Sequence, residues 1–100
     1  MAYAVCVTWI ANDGEEEAVA AAIERLLGPS RAEPGVQLYL PHRDPKDSRV
    51  FFMYEQYADE AAYQAHVDTE HFKRDGLGDA IPRLAERRRE FYETFGGAGH

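Results

Sequence analysis

Between Ala2 and Ala11 the chain keeps both of its alternate faces apolar, with Tyr3, Val5, Val7 and Trp9 on one and Ala4, Cys6, Thr8 and Ile10 on the other. A half-wet strand would alternate apolar with polar, so this segment predicts a strand covered on both sides. The period then changes. Asn12-Asp13-Gly14 interrupts the strand and offers cap oxygens, and Glu15, Glu16 and Glu17 come next, where a helix dipole favours anions. Ala18, Val19, Ala22, Ile23, Leu26 and Leu27 recur at helical spacing until Gly28-Pro29 stops the run. Glu33-Pro34-Gly35 reads as a turn, VQLYL as a second strand, HRDPKDSR as a polar hairpin connection and VFFMYEQY as a third strand. In that third strand Val50, Phe52 and Tyr54 oppose Phe51, Met53 and Tyr57, and Glu55 interrupts the second set.

Asp59 is placed to cap a second helix that runs to about Arg74. After the loop KRDGLGD, DAIPRLAE predicts a short helix around Pro82 and RRREFYETF a last strand, with GGAGH as a flexible tail over residues 96–100. The order of elements predicts an α+β fold, the ferredoxin-like split β-α-β arrangement, with an antiparallel four-stranded sheet in a single domain over residues 1–95. Helices cover one face of such a sheet. Because the inner strands are apolar on both faces, the other face needs a partner, and an identical chain is the simplest one. The expected assembly is a homodimer with sheets packed face to face.

Charge narrows the function classes. With 18 acidic and 11 basic residues the net charge is −7, and Arg87, Arg88 and Arg89 form the one basic block, so a nucleic-acid partner is disfavoured. Cys6 has no second thiol and reads as a small buried hydrophobe in a reducing compartment. The segment MAYAVCVTWIA lacks the basic start of a signal peptide, and no apolar run approaches the roughly 20 residues of a membrane span. A soluble cytoplasmic protein without a membrane partner is expected.

The candidate chemistry lies in YQAHVDTEHFKR, residues 63–74, which holds two histidines five positions apart. On a continuous helix at roughly 100° per residue, His66 and His71 point about 140° apart, so no shared metal site is expected. His66 falls at the margin of the apolar arc of Ala58, Ala62, Ala65 and Phe72 and faces the sheet, whereas His71 falls opposite. Glu55, on an apolar strand face, would cost several kcal/mol unless it found a partner. Met53, Tyr57 and Trp9 belong to the same face, and His66 descends toward that layer. A carboxylate and an imidazole in an aromatic pocket suit a base of tuned pKa, or else a pair that only fixes the fold. Tyr54 is expected at the dimer interface, Asn12 as a cap, and His42 with Arg43 in the hairpin. No GxGxxG, P-loop, GxSxG or HExxH occurs.

Taken in order, WIANDGEEE, EPGV, HRDP, RVFFMYEQY, DEAAYQAH, TEHFK and RRREFYETF resemble the antibiotic biosynthesis monooxygenase family over roughly Val5 to Phe95. The resemblance implies a dimeric α+β barrel. It also implies several activities: oxygenation of phenolic or anthrone-like intermediates without metal or flavin, rearrangement of small phosphorylated signalling sugars, quinol oxidation, and haem degradation. Haem-degrading members carry an asparagine inside the first strand, a tryptophan at the position of His66 and a ligand histidine after the HFK segment, and this chain has none of them. The pieces YEQYADEAAYQAH and TEHFK resemble the signal-processing and quinol-oxidising branch, in which a carboxylate matching Glu55 lines the pocket. The resulting expectation is a cofactor-independent monooxygenase acting on a small electron-rich aromatic or quinol. His66 would be the base, Glu55 its orienter or proton relay, and Trp9, Met53, Tyr57 and Phe72 the substrate-binding wall. An isomerase of a small oxo-sugar and a non-catalytic ligand-binding module are the alternatives, since one fold hosts all three.

Overall fold

The structure of the protein, a computed structural model, describes residues 1–95; the expected tail, residues 96–100, lies outside them. Strand β1 (Tyr3–Ala11) runs through the middle of a four-stranded antiparallel sheet, between β3 (Val50–Tyr57) and β4 (Leu84–Glu93). Strand β2 (Val36–Arg43) forms the far edge, in the order β2-β3-β1-β4. This is the expected ferredoxin-like topology. Register sets the two faces: Val5 pairs with Glu55, Val7 with Met53 and Trp9 with Phe51, so their side chains share one layer. Helices α1 (Glu16–Arg31) and α2 (Glu60–Val67) cover that layer, and Val19, Ala22, Ile23, Leu26 and Tyr63 pack with the strand residues into the core. On the other face Leu38, Leu40, Phe52 and Tyr92 stand exposed. Cys6 is half-buried on that outer face rather than in the core, because its alternation partner Val5 takes the inward position.

Several element boundaries differ from the sequence pattern, each for a local reason. Helix α1 continues through Gly28-Pro29 to Arg31. Proline removes one helical hydrogen bond there, but Ser30 is fully buried and the Arg31 Nε donates to the Tyr39 carbonyl at 3.1 Å, so tertiary contact holds the last turn. At its start no side chain caps the helix; the Asn12 backbone carbonyl, not its side chain, accepts the Glu15 N–H at 3.0 Å. Strand β2 runs on through Pro41, His42 and Arg43, which an edge strand permits because one row of its N–H groups has no strand partner.

The largest departure lies after α2. Asp59 caps this helix as expected, its Oδ1 accepting the Ala62 N–H at 2.9 Å, but the helix ends at Val67 instead of continuing to Arg74. Thr69 makes the break: its hydroxyl donates to the His66 carbonyl at 2.7 Å and accepts the Phe72 N–H at 3.2 Å. One side chain thus terminates the first helix and starts the next. Beyond the break a wide π-helical segment, Phe72–Ala80, runs directly into a 3-10 turn, Ile81–Arg83, in place of a loop and a separate helix. Buried Asp75 ties it to α1 through Arg25 at 3.1 Å and is also held by Arg74 at 2.9 Å. Among the described residues no helix is long and apolar enough to cross a membrane.

Gly35 lets the turn before β2 press against α2, since a Cβ added there would lie 2.5 Å from the Ala62 Cβ. Replacing Gly35 by alanine should therefore destabilise the fold by about 1–3 kcal/mol, read as a lower urea midpoint; an unchanged midpoint would mean that the turn is not clamped.

Candidate active site

Four elements bring polar groups into one narrow pocket between the sheet and the helices, about 330 Å³ including the part open to solvent. Strand β1 contributes Val7 and Trp9, β3 contributes Met53 and Glu55, α2 contributes Tyr63 and His66, and Phe72 closes one side. Gly76 makes room for that ring: a Cβ there would sit 3.0 Å from the Phe72 edge, and the Phe72 ring lies 5.2 Å from the His66 ring. Glu55 and His66, 4% and 2% exposed, thus share an aromatic chamber, as the sequence predicts. Tyr57 lies behind the wall rather than on it, fully buried with its hydroxyl donating to Glu55 Oε1 at 2.5 Å.

Glu55 and His66 are not each other's hydrogen-bond partners. His66 Nδ1 lies 2.8 Å from Glu33 Oε2, and His71 Nε2 lies 2.7 Å from the same oxygen. An ionised carboxylate only accepts, so this assigns a proton to His66 Nδ1 and to His71 Nε2. The Thr69 break supplies the geometry. It turns His71 back toward the turn that carries Glu33, whereas a continuous helix would have pointed the two rings apart. Glu33 escapes a search for alternating or helical patterns because it sits in a turn; its one signal is the adjoining Pro34-Gly35, which fixes where the turn lies.

The three ligand atoms of Glu33, His66 and His71 lie within 4.8 Å of one another, so the premise that set aside a metal site, a continuous helix, does not hold. Two imidazoles and a carboxylate are a donor set that zinc or iron(II) accepts. A cation there would displace the two protons that now bridge the rings to Glu33.

Burial sets the protonation states. It raises the Glu55 pKa to about 7; the Tyr57 hydrogen bond pulls the other way, and the Glu33 charge adds to the rise. Burial lowers the His66 pKa, outweighing the favourable hydrogen bond and charge of Glu33, with His71 lowering it further. His66 is therefore neutral near pH 7, and Glu55 titrates there. Tyr57 and Tyr39 are pushed well above the usual phenol range, first by burial and then by the Glu55 charge, so both remain hydrogen-bond donors. Tyr39, opposite Glu55 in the register, packs its ring 5.6 Å from His66 and lines the pocket as well.

The sequence profile of the antibiotic biosynthesis monooxygenase family matches residues 2–74, most of the segment that builds this pocket. The chain belongs to that family. Among solved structures, PA3566 from Pseudomonas aeruginosa is 34% identical over 93% of each chain, with a TM-score of 0.86. A Nitrosomonas europaea protein, provisionally assigned as an antibiotic biosynthesis monooxygenase, is 25% identical over 98% of this chain and 94% of its own, with a TM-score of 0.85. Rv0793 from Mycobacterium tuberculosis, 17% identical over 98% and 99%, shares the fold with a TM-score of 0.87. No curated protein matches the chain. Membership makes a monooxygenase-type domain of the oxidoreductase class the frame for the pocket.

Arg87 and Arg89, two members of the basic block in the last strand, belong to the pocket wall. Paired with Trp9 and Val7 across β1 and β4, they take the inner face while Arg88 turns outward.

Because the folded-state pKa of Glu55 lies above the unfolded value near 4.5, its contribution to stability is present below pH 4.5 and lost as pH rises through about 7. Relative to Glu55→Gln, the wild-type unfolding free energy should fall by up to about 3 kcal/mol across that window, measured by urea titration at each pH. Parallel pH profiles for the two proteins would show that folding does not raise the Glu55 pKa.

Proposed function

We propose that the protein is a cofactor-independent monooxygenase that oxidises a small electron-rich aromatic, a hydroquinone or an anthrone, with dioxygen. The observation that carries this reading is the His66 ring, buried in an aromatic pocket with Nδ1 taken by Glu33 and Nε2 left to the pocket beside Glu55. That is the arrangement of a base with its orienter. Glu33, not Glu55, fills the orienting role.

For an anthrone, His66 Nε2 removes a proton from the activated CH₂ carbon. The resulting carbanion gives one electron to dioxygen, the radical pair combines into a C–OO⁻ group, and the His66 imidazolium returns its proton to give C–OOH. Loss of the second proton from that carbon, with cleavage of the O–O bond, leaves C=O, and the departing hydroxide takes a proton to become water. One oxygen atom ends in the product and one in water, and all four electrons come from the substrate. Glu55, with a pKa of about 7, is matched to supplying the last proton, while Trp9, Met53 and Phe72 keep bulk water from the anion.

The same reading includes a homodimer through the outer sheet face, supported by exposed Leu38, Leu40, Phe52 and Tyr92. The inner pocket opens on the opposite side of the sheet, so dimerisation leaves it clear.

Oxygen uptake by the metal-stripped protein with a panel of hydroquinones and anthrones tests the chemistry. His66→Ala should lower kcat by two to four orders of magnitude, roughly, while retaining the wild-type circular dichroism. Uptake insensitive to His66 would sink its role as base, and no uptake across the panel would favour an isomerase using the same acid–base groups. Sedimentation velocity tests assembly: the wild type should run as a dimer and Leu40→Glu with Phe52→Glu as a monomer, whereas a monomeric wild type would refute the interface.

A further inference from the structure

The cationic groups on the β4 side of the pocket have no carboxylate partner among the described residues. Arg87 and Arg89 line both the inner chamber and the broader cleft into which it opens. Although the chain carries a net charge of −7 and many of its other arginines find carboxylates, neither of these two forms an ion pair among the described residues. Arg89 donates to the Tyr63 hydroxyl at 3.0 Å, and its guanidinium lies 5.8 Å from the Phe91 ring centre, which holds it along the cleft instead of in open solvent. Arg87 is the direct cross-strand neighbour of Trp9. The Trp9 indole N–H is itself buried without a hydrogen-bond partner, although the ring lines the chamber. A buried donor with no acceptor is destabilising unless something supplies one. Partial desolvation against the pocket wall and the nearby Arg89 charge both work against protonation of Arg87, so two like charges are kept together at a cost that an anion would relieve. Glu60 is at the rim of the cleft and pairs with neither arginine.

We infer that Arg87 and Arg89, with the Trp9 indole N–H, form an anion subsite, and that the substrate carries a carboxylate or phosphate at the end remote from the Glu55 and His66 groups. The substrate is thus an acidic aromatic: its reacting edge enters the narrow chamber and its anionic group stays at the β4 mouth. Guanidinium forks suit either oxyanion, since each presents two oxygens to paired N–H donors. The inference rests on the pocket being a substrate site, as proposed above, and it narrows the substrate class within that reading.

Binding, rather than turnover, tests it, so that its failure can be told from failure of the oxygenase chemistry. Trp9 is the single tryptophan of the chain and lines the chamber, so its fluorescence reports occupancy directly. Under anaerobic conditions the protein is titrated with hydroquinone, 2,5-dihydroxybenzoate and phenyl phosphate, and the titrations are repeated with Arg87→Gln, Arg89→Gln and the double variant. Both arginines are exposed on an edge strand, and their replacement leaves the core intact. At least one of the two anions should bind about tenfold or more tightly than hydroquinone, with the preference weakened in each single variant and abolished in the double one. Which anion is preferred separates a carboxylate from a phosphate substrate. Equal affinities for all three probes, no saturable binding of either anion, or a preference that survives in the double variant would overturn the subsite. A preference for anions that is lost in the double variant, together with no uptake in the separate oxygen assay, would leave the subsite standing and favour the isomerase reading.

Discussion

One carboxylate oxygen, Glu33 Oε2, meets two imidazoles that the chain delivers from either side of a helix break. It is the one side-chain hydrogen-bond partner of either ring among the described residues. His66 is buried among Tyr39, Tyr57 and Phe72, where an imidazole without a polar partner would be costly, and His71 is reached only because α2 stops at Val67. Glu33 is kept in place from the other side by the Pro34-Gly35 turn against Ala62 and by the Gly35 carbonyl, which accepts the Ala58 N–H at 2.9 Å. The tautomer of His66, the direction of its free nitrogen and the shape of the chamber all depend on this arrangement.

Burial then separates the two acid–base groups chemically. The same apolar wall that keeps His66 neutral holds the Glu55 proton until about pH 7, so a base and an acid coexist near neutrality within one chamber. Buried Tyr57 supplies the one hydrogen bond that moderates the Glu55 shift. The sheet divides its labour by face. Its inner face carries the pocket, and its outer face presents the apolar surface that the sequence marks for a partner.

Much of this is legible in the chain because it depends on period. Alternation in VCVTWI and VFFMYEQY identifies two central strands and places Trp9, Met53 and Glu55 on one layer, and the registers bear this out. Helical spacing likewise turns His66 toward the sheet. Local signals that compete with period mislead: Gly28-Pro29 looks like a stop, yet tertiary contacts of Ser30 and Arg31 carry α1 past it. Thr69 looks like an ordinary helical residue, yet its hydroxyl ends one helix and starts another. Without that break the meeting of His66 and His71 stays hidden. Glu33, Arg87 and Arg89 are hidden for a different reason: their roles come from the pairing of segments distant in sequence, which no local pattern records.

The most direct test is the protonation of the His66 ring, observed by two-dimensional proton–nitrogen correlation of the imidazole between pH 5.5 and 8, with Glu33→Gln beside the wild type. The ring should be neutral at pH 7 with its proton on Nδ1 and a bare Nε2, and its tautomer balance should change once Glu33 can no longer act as a carboxylate acceptor. A ring protonated on both nitrogens at pH 7, or one carrying its single proton on Nε2, would contradict the assignment of His66 as a base oriented by Glu33.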